Sequence, residues 1–322
     1  MERFALVNWA NISSDGDIDF SILEPLGELS MHEVRGGDPD ALVEVLQGVP
    51  YAVISQHVMF AELFERCPDL KFVNITSTGY EKITKEIRDS AREHGAVICN
   101  IPSYGTAAVA QTTVALLLEL CNSAGALSTD VKAGEWLKRP RFTIWEYPLI
   151  QLEGKTAGII GYGEIGRAVA KILEAFGMRV LICRSFTHEG EQEGRVPFDT
   201  LLAKSDVISL HCLYTEKVGC LMDEKALRKM KDGALLVNTA RGELVDEAAI
   251  ALALREKKLG GYAADVFCEE PPSANHPLMH EERCVLSPHV AWTGREARQN
   301  MVKRVYENLY AFQHGEVINC IS

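Results

Sequence analysis

Three short segments in the second half of the chain set charged or titratable side chains just past runs of strand type. Asn238-Thr239-Ala240-Arg241 follows from ALLVN, Asp265-Val266-Phe267 ends GYAAD and leads to Glu269-Glu270-Pro271-Pro272, and Ser287-Pro288-His289-Val290-Ala291-Trp292 follows CVL. Open α/β sheets bind ligands outside the carboxyl ends of their strands, so an arginine, acids and a histidine are candidates for one reactive site. Upstream, TAGII runs into Gly161-Tyr162-Gly163-Glu164-Ile165-Gly166, then into the helical pattern RAVAKILEAFG and the next strand RVLIC. In that setting G-x-G-x-x-G binds a dinucleotide. Gly161 permits the tight turn, Gly163 lets a pyrophosphate approach the backbone, and Gly166 lets helix pack on strand.

About 20 residues beyond such a glycine loop an acidic side chain usually accepts hydrogen bonds from the adenosine ribose. Here the position holds Arg184, within Cys183-Arg184-Ser185. A guanidinium fork beside a hydroxyl suits a 2′-phosphate better than a ribose diol, so NADP is favoured over its alternative, NAD. Glu189, Glu191 and Glu193 follow closely and would repel that phosphate. Arg184 stacked on adenine, or turned into water, is the competing reading.

The elements that must position these residues alternate from end to end. Strand-type runs FALVN (4–8), YAVIS (51–55), KFVNI (71–75) and AVICN (96–100) form a first series. TAGIIG (156–161), RVLIC (179–183), DVISL (206–210), ALLVN (234–238), GYAAD (261–265) and CVLS (284–287) form a second. Strands separated by helical patterns build βαβ units and parallel sheets, so two α/β sheets are expected. Between the series, 106–123 reads as a helix containing VALLLELC, too apolar to face solvent and expected at a domain or subunit interface. The stretch 294–314 has helical spacing at Ala297, Met301, Val305, Leu309 and Phe312, with no strand after it to extend the second sheet, and is expected to cross back to the first.

At 322 residues the chain is about twice the usual length of one domain. Its 47% hydrophobic and 24% charged content is that of an ordinary globular protein, which excludes collagen-like, coiled-coil and disordered classes. With 33 Lys and Arg against 45 Asp and Glu, the net charge of −12 opposes binding to nucleic acid. Nine scattered cysteines include no C-x-x-C pair and no zinc spacing, and His211, His276 and His280 read as structural, so no metal is expected. The cysteines read as buried small apolar residues in a reducing compartment. The N-terminus lacks a signal-peptide core and no run is long enough to span a membrane, so a cytoplasmic location with no membrane partner is expected.

The three blocks and the glycine loop, in this order and spacing, resemble the D-isomer-specific 2-hydroxyacid dehydrogenase family over about residues 50–315. The loop Thr76-Ser77-Thr78-Gly79-Tyr80, the run Ser103-Tyr104-Gly105-Thr106 with Val109-Ala110-Gln111, and His289-Val290-Ala291-Trp292 look most like its glycerate dehydrogenase and hydroxypyruvate reductase branch. The sequence departs from the family pattern at Leu213 in HCLYT, where proline is common, at Thr112, where the branch often has His, and at Arg184.

The resemblance implies two doubly wound parallel-sheet domains, a Rossmann nucleotide domain (101–288) inserted into a flavodoxin-like substrate domain (1–100 and 289–322). The active site of such a fold lies in the cleft between domains, which closes to exclude water. The implied reaction is hydride transfer between a nicotinamide and the C2 of a small D-2-hydroxy or 2-oxo acid, with hydroxypyruvate and D-glycerate, or glyoxylate, leading. D-lactate-type or broad 2-oxoacid reduction, and a non-catalytic dinucleotide sensor on the same scaffold, are the alternatives. His289 is the implied proton donor and acceptor, and Glu270 the acid that orients the imidazole and raises its pKa. Arg241 would bind the carboxylate and polarise the carbonyl. Glu270 is chosen over Glu269 by its offset from Asp265 and its place before Pro271. Amides of Ser77, Thr78 and Gly79 would form an anion nest, and Trp292 either walls the pocket or belongs to the core. Besides the glycine loop, Arg184 and Ser185, the implied cofactor contacts are Cys212, Thr239, Arg241, Asp265 and His289, with Asp265 a nicotinamide-side or structural contact rather than an acid. A homodimer through the nucleotide domains completes the expectation.

Overall fold

The computed structural model describes residues 2–13, 15–188 and 193–322. The chain divides into two compact units, Met1–Gly105 with Trp292–Ser322, and Thr106–Ala291.

In the first unit, β1 (Arg3–Val7), β2 (Glu28–His32), β3 (Tyr51–Ile54), β4 (Phe72–Ile75) and β5 (Val97–Cys99) form one parallel sheet in the order β2-β1-β3-β4-β5. Alternation along each strand sorts side chains to two faces. Phe4, Leu6, Val53 and Phe72 meet Met301, Val302, Val305 and Leu309 of the helix Arg295–Gln313. Ala5, Val7, Ile54 and Ile75 meet Leu42 and Leu46 of the helix Pro39–Leu46 and Ile87 and Ala91 of the helix Lys85–Glu93. The helix expected over 294–314 thus covers one face of this sheet.

In the second unit, β6 (Thr156–Ile160), β7 (Arg179–Cys183), β8 (Arg195–Val196), β9 (Val207–Leu210), β10 (Ala234–Asn238), β11 (Leu259–Ala264) and β12 (Cys284–Leu286) pair in parallel as β12-β11-β10-β9-β6-β7-β8. Strand order reverses between β6 and β9, which creates the crevice at which doubly wound sheets bind ligands. Both faces are covered: Ala157, Ile159, Val207 and Val237 pack with the helices Thr106–Asn122 and Glu164–Ala175, while Ile160, Ile208, Leu236 and Tyr262 pack with the helix Glu247–Arg255. The fold is therefore two doubly wound parallel sheets, as the motifs imply. β2 (ELSMH) and β8 are edge strands without an apolar run, and neither carries the signal that marks the others.

Two expectations need correction. The helix Thr106–Asn122 needs no interface to hide most of its apolar side chains, because Ala110, Leu116, Leu117, Leu120 and Cys121 are buried against its own unit. The exposed apolar surface follows it, where Leu137, Phe142 and Trp145 are 89%, 87% and 73% exposed. Nor are all the cysteines core residues. Cys67, Cys99, Cys121 and Cys183 are buried, but Cys220, Cys268 and Cys320 are exposed, because they sit outside the strands and helices that form the cores. Among the described residues no single helix is long and apolar enough to cross a membrane, and no group of side chains is arranged to hold a metal ion.

Candidate functional site

The glycine loop joins β6 to the helix Glu164–Ala175 at the switch point. Gly161 has φ +91°, and a Cβ there would lie 2.4 Å from the Cys212 amide nitrogen, so only glycine lets the two loops meet. A Cβ on Gly166 would meet the Gly161 carbonyl oxygen at 2.0 Å, which fixes the helix against the strand. At Gly163 a Cβ would meet nothing within 4 Å, and this residue caps the helix without any side-chain bond. The space beside Gly163 at the head of the helix is therefore open, as a pyrophosphate cradle requires. Tyr162 and Ile165 are half-buried against the core, and Glu164 accepts a hydrogen bond from the Thr106 hydroxyl at 3.1 Å. The loop fits a dinucleotide.

Arg184 follows β7 with an exposed side chain, its amide bonded to the Val196 carbonyl at 2.9 Å. Ser185 accepts the amides of Thr187 and His188, each at 3.3 Å, in a local turn. Glu193 is exposed, while Glu189 and Glu191 lie outside the described residues. At the end of β9, burial pushes the Cys212 thiol up to about 11 and holds His211 down to about 3, so His211 is neutral, with Nε2 2.8 Å from the Ser209 hydroxyl.

Past β10 the buried Asn238 side chain donates to the Arg241 carbonyl at 2.8 Å and accepts the Ala240 amide at 3.0 Å. These bonds shape the turn that presents Arg241, whose guanidinium also donates to the Ala240 carbonyl at 2.6 Å. Thr239 shares a hydroxyl contact of 2.7 Å with Thr113. Gly242 lies so close to Phe267 that a Cβ would meet its carbonyl carbon at 2.0 Å.

Past β11, Asp265 is 1% exposed and its carboxylate is saturated from within the chain. It accepts the Ser287 hydroxyl, the Val290 amide at 3.0 Å and the Ala291 amide at 2.8 Å, while its backbone carbonyl takes the His289 amide at 2.8 Å. Asp265 is thus the anchor of the loop that carries His289, which is held at φ +55°, a backbone region costly for any side chain but glycine.

His289 Nδ1 lies 2.6 Å from Glu270 Oε2, and Glu270 Oε1 accepts the Phe267 amide at 3.0 Å. Glu270 raises the pKa of His289 against the opposing effect of burial. Burial opposes the charge on Glu270 as well, but the bonds from His289 and the Phe267 amide hold its carboxyl below the usual range. With Nδ1 committed to the carboxylate, Nε2 is the nitrogen able to exchange a proton with a ligand. Glu269 is exposed, as expected of a solvated neighbour.

A second pair went unread in the sequence. His276 Nε2 lies 2.9 Å from Glu247 Oε2, and Glu247 Oε1 accepts the Cys268 amide at 3.1 Å, one residue from the amide that holds Glu270. Twenty-nine positions separate the partners, and no local pattern links them.

The residues expected to bind the substrate from the first unit stand in the loop after β4. Ser77 donates to the Gly79 carbonyl at 2.6 Å, and Thr78 to the Ile101 carbonyl at 2.9 Å. Among the described residues the amides of Ser77, Thr78 and Gly79 donate no hydrogen bond. Three neighbouring donors in such a turn are what an anion nest offers. Trp292, like Tyr104, is half-buried against the first unit's core.

Residues 114–291 match the family model described as D-isomer specific 2-hydroxyacid dehydrogenase, NAD binding domain. The chain is 36% identical over 312 residues to a hydroxypyruvate reductase from Blautia hydrogenotrophica, covering 95% of this chain and 96% of that one. It is 36% identical over 285 residues to a glycerate dehydrogenase from Methylorubrum extorquens, covering 88% of each. Its fold is similar to the crystal structure of an NADPH-dependent glyoxylate/hydroxypyruvate reductase from Sinorhizobium meliloti in complex with citrate, with a TM-score of 0.82, 26% identity and coverage of 100% and 98%.

Proposed function

Because the chain belongs to the D-isomer specific 2-hydroxyacid dehydrogenases, an NAD(P)-dependent family of oxidoreductases, we propose that it interconverts hydroxypyruvate and D-glycerate, with glyoxylate as a second substrate. The observation that carries this reading is the 2.6 Å pair of His289 and Glu270 past the carboxyl ends of β11 and β12. The loop Gly161–Gly166 would hold a nicotinamide dinucleotide, whose chemistry would be to supply or accept the hydride at C2. Everything else falls to side chains. Arg241, permanently charged, pairs with the substrate carboxylate and draws electrons from the carbonyl. His289 Nε2 gives its proton to the carbonyl oxygen in reduction and takes it back in oxidation, and Glu270 stabilises the imidazolium that must exist beforehand. Ser77, Thr78 and Gly79 are proposed as an anion nest for the carboxylate, and Trp292 as an apolar wall.

Steady-state assays with hydroxypyruvate, glyoxylate and pyruvate, each with NADH and NADPH, test this reading. Hydroxypyruvate should have the highest kcat/KM. Preference for pyruvate makes the protein a D-lactate-type enzyme, and tight cofactor binding without turnover makes it a sensor.

Arg184 is proposed to favour NADP over NAD by about 1–3 kcal/mol, the scale of a charge-assisted hydrogen bond, or about five- to 150-fold in affinity. The NADPH dependence of the Sinorhizobium relative agrees with this direction. Arg184→Asp should turn the preference toward NADH. An unchanged ratio of specificity constants would remove Arg184 from cofactor choice.

The exposed Leu137, Phe142, Trp145 and Leu149 lie within a short stretch of the second unit. A patch of such side chains marks an interface, and a second copy of this chain is the proposed occupant, giving a homodimer. Light scattering should give twice 35.6 kDa. A monomer at micromolar concentration refutes the dimer. The free thiols are in keeping with a reducing, cytoplasmic location, and the net charge of −12 leaves nucleic acid out of the proposed partners.

A further inference from the structure

Beyond the helix Arg295–Gln313 the chain turns back and pairs antiparallel with β5, setting Cys320 opposite Cys99. The Asn100 amide donates to the Asn319 carbonyl at 3.1 Å, and the Ile321 amide to the Ile98 carbonyl at 2.8 Å. These bonds flank the two cysteines and none joins them, the mark of a narrow, non-hydrogen-bonded pair. In such pairs the two α-carbons lie about 4.5 Å apart, inside the range of about 4.4–6.8 Å that disulfides span. Directly opposed residues also point to the same face. Cys99 is 1% exposed in the first unit's core, whereas Cys320 is exposed.

We propose that Cys99 and Cys320 form a reversible disulfide that locks the C-terminal segment to β5 and acts on the loop 76–80. The oxidant class is a low-molecular-weight disulfide. The Cys320 thiolate attacks one of its sulfurs, giving a mixed disulfide and releasing one small thiol. Cys99 then attacks the Cys320 sulfur, the new S–S bond forms, the second small thiol leaves and takes up the Cys99 proton. Two protein thiols are oxidised and one small disulfide is reduced to two thiols. The order follows from access. Burial pushes the Cys99 thiol up to about 12 and shields it, so the exposed Cys320 meets the small disulfide first. Cys320 now has its sulfur 3.5 Å from the Ser322 carbonyl oxygen, and rotation about its Cα–Cβ bond turns it toward Cys99.

The lock reaches the loop through one residue. Asn100, next to Cys99, donates from its side chain to the Thr78 carbonyl at 2.7 Å, and its carbonyl accepts from Asn308 at 2.8 Å. Asn308 accepts in turn from Asn319, next to Cys320, at 2.8 Å. The cross-link therefore restrains Asn100 and Asn319 together, and with them the Thr78 carbonyl that Asn100 holds. The effect on turnover rests on the function proposed above, but the cross-link itself does not.

The full-length protein is treated with oxidised glutathione, alkylated and digested without reductant. The expected product is one peptide pair joining Cys99 to Cys320, absent in Cys99→Ser and Cys320→Ser and reversed by dithiothreitol. Glutathione retained on Cys320, with Cys99 still a thiol, overturns the disulfide. In the same samples KM for hydroxypyruvate should rise by about threefold or more with kcat little changed, in wild type and not in Cys320→Ser. Unaltered constants in fully cross-linked protein overturn the coupling to the loop. Absence of turnover even in the reduced protein overturns the function reading while the peptide map still decides the disulfide.

Discussion

Among the described residues the second unit holds two histidine–carboxylate pairs built from the same parts but set in different surroundings. His289 and Glu270 lie 2.6 Å apart with side chains 43% and 36% exposed, whereas His276 and Glu247 lie 2.9 Å apart at 9% and 12%. The adjacent amides of Phe267 and Cys268 hold one glutamate each. The ring nitrogens make the difference. His276 uses both, because Nδ1 also accepts the Leu278 amide at 3.4 Å, and a ring saturated from within can only brace. His289 commits Nδ1 to Glu270, and among the described residues its Nε2 makes no hydrogen bond. An imidazole beside a carboxylate is therefore not a site by itself, and the pair proposed as catalytic is the one with a ring nitrogen to spare on an anchored loop.

The largest effect expected from this contrast is at His289. His289→Ala should cut turnover in reduction by about 100-fold or more while cofactor affinity stays nearly constant. Near-normal turnover would erase the distinction between the pairs. At the second pair Glu247→Ala should leave His276 and the Cys268 amide without their acceptor and cost about 1–3 kcal/mol of stability, read as a lower denaturant midpoint with unchanged slope. Its pH–rate profile should stay where the wild type's is. A shifted profile would mean that the buried pair also tunes the reaction.

The gentlest change is Glu270→Gln, which keeps shape and removes charge. Glu270 raises the pKa of His289, and reduction needs the imidazolium, so wild-type reduction fades as pH rises through that elevated pKa. Without the charge the pKa falls and reduction fades at lower pH, while oxidation, which needs the neutral ring, sets in at lower pH. Profiles measured at saturating substrate and cofactor check this. Coincident profiles would leave Glu270 as an orienting group only.

What could be read along the chain was local. Strands buried on both faces, such as TAGII and ALLVN, show as apolar runs, and the glycine loop is contiguous with the strand and helix that give it meaning. β2 and β8 lie at edges and need no such run. Arg241, Glu270 and His289 stood out because each follows a strand. What holds them did not, because Asp265 reaches Val290 and Ala291, Glu247 reaches His276, and Cys99 faces Cys320 only after folding. The helix Thr106–Asn122 shows the converse limit. Its composition announces burial but cannot say against what, and its own sheet covers it.

The segment paired with β5 has another effect, independent of its cysteine. An unpaired strand at the border of a sheet presents amides and carbonyls to any strand that comes near, and chains aggregate through such borders. The Asn319 carbonyl and the Ile321 amide occupy those groups at the end of β5. β8, with two residues, and β12, with three, offer little length for another chain to pair with. The segment after the last helix thus serves as a selvedge, finishing the cloth of the first sheet along the side where it would otherwise fray into its neighbours.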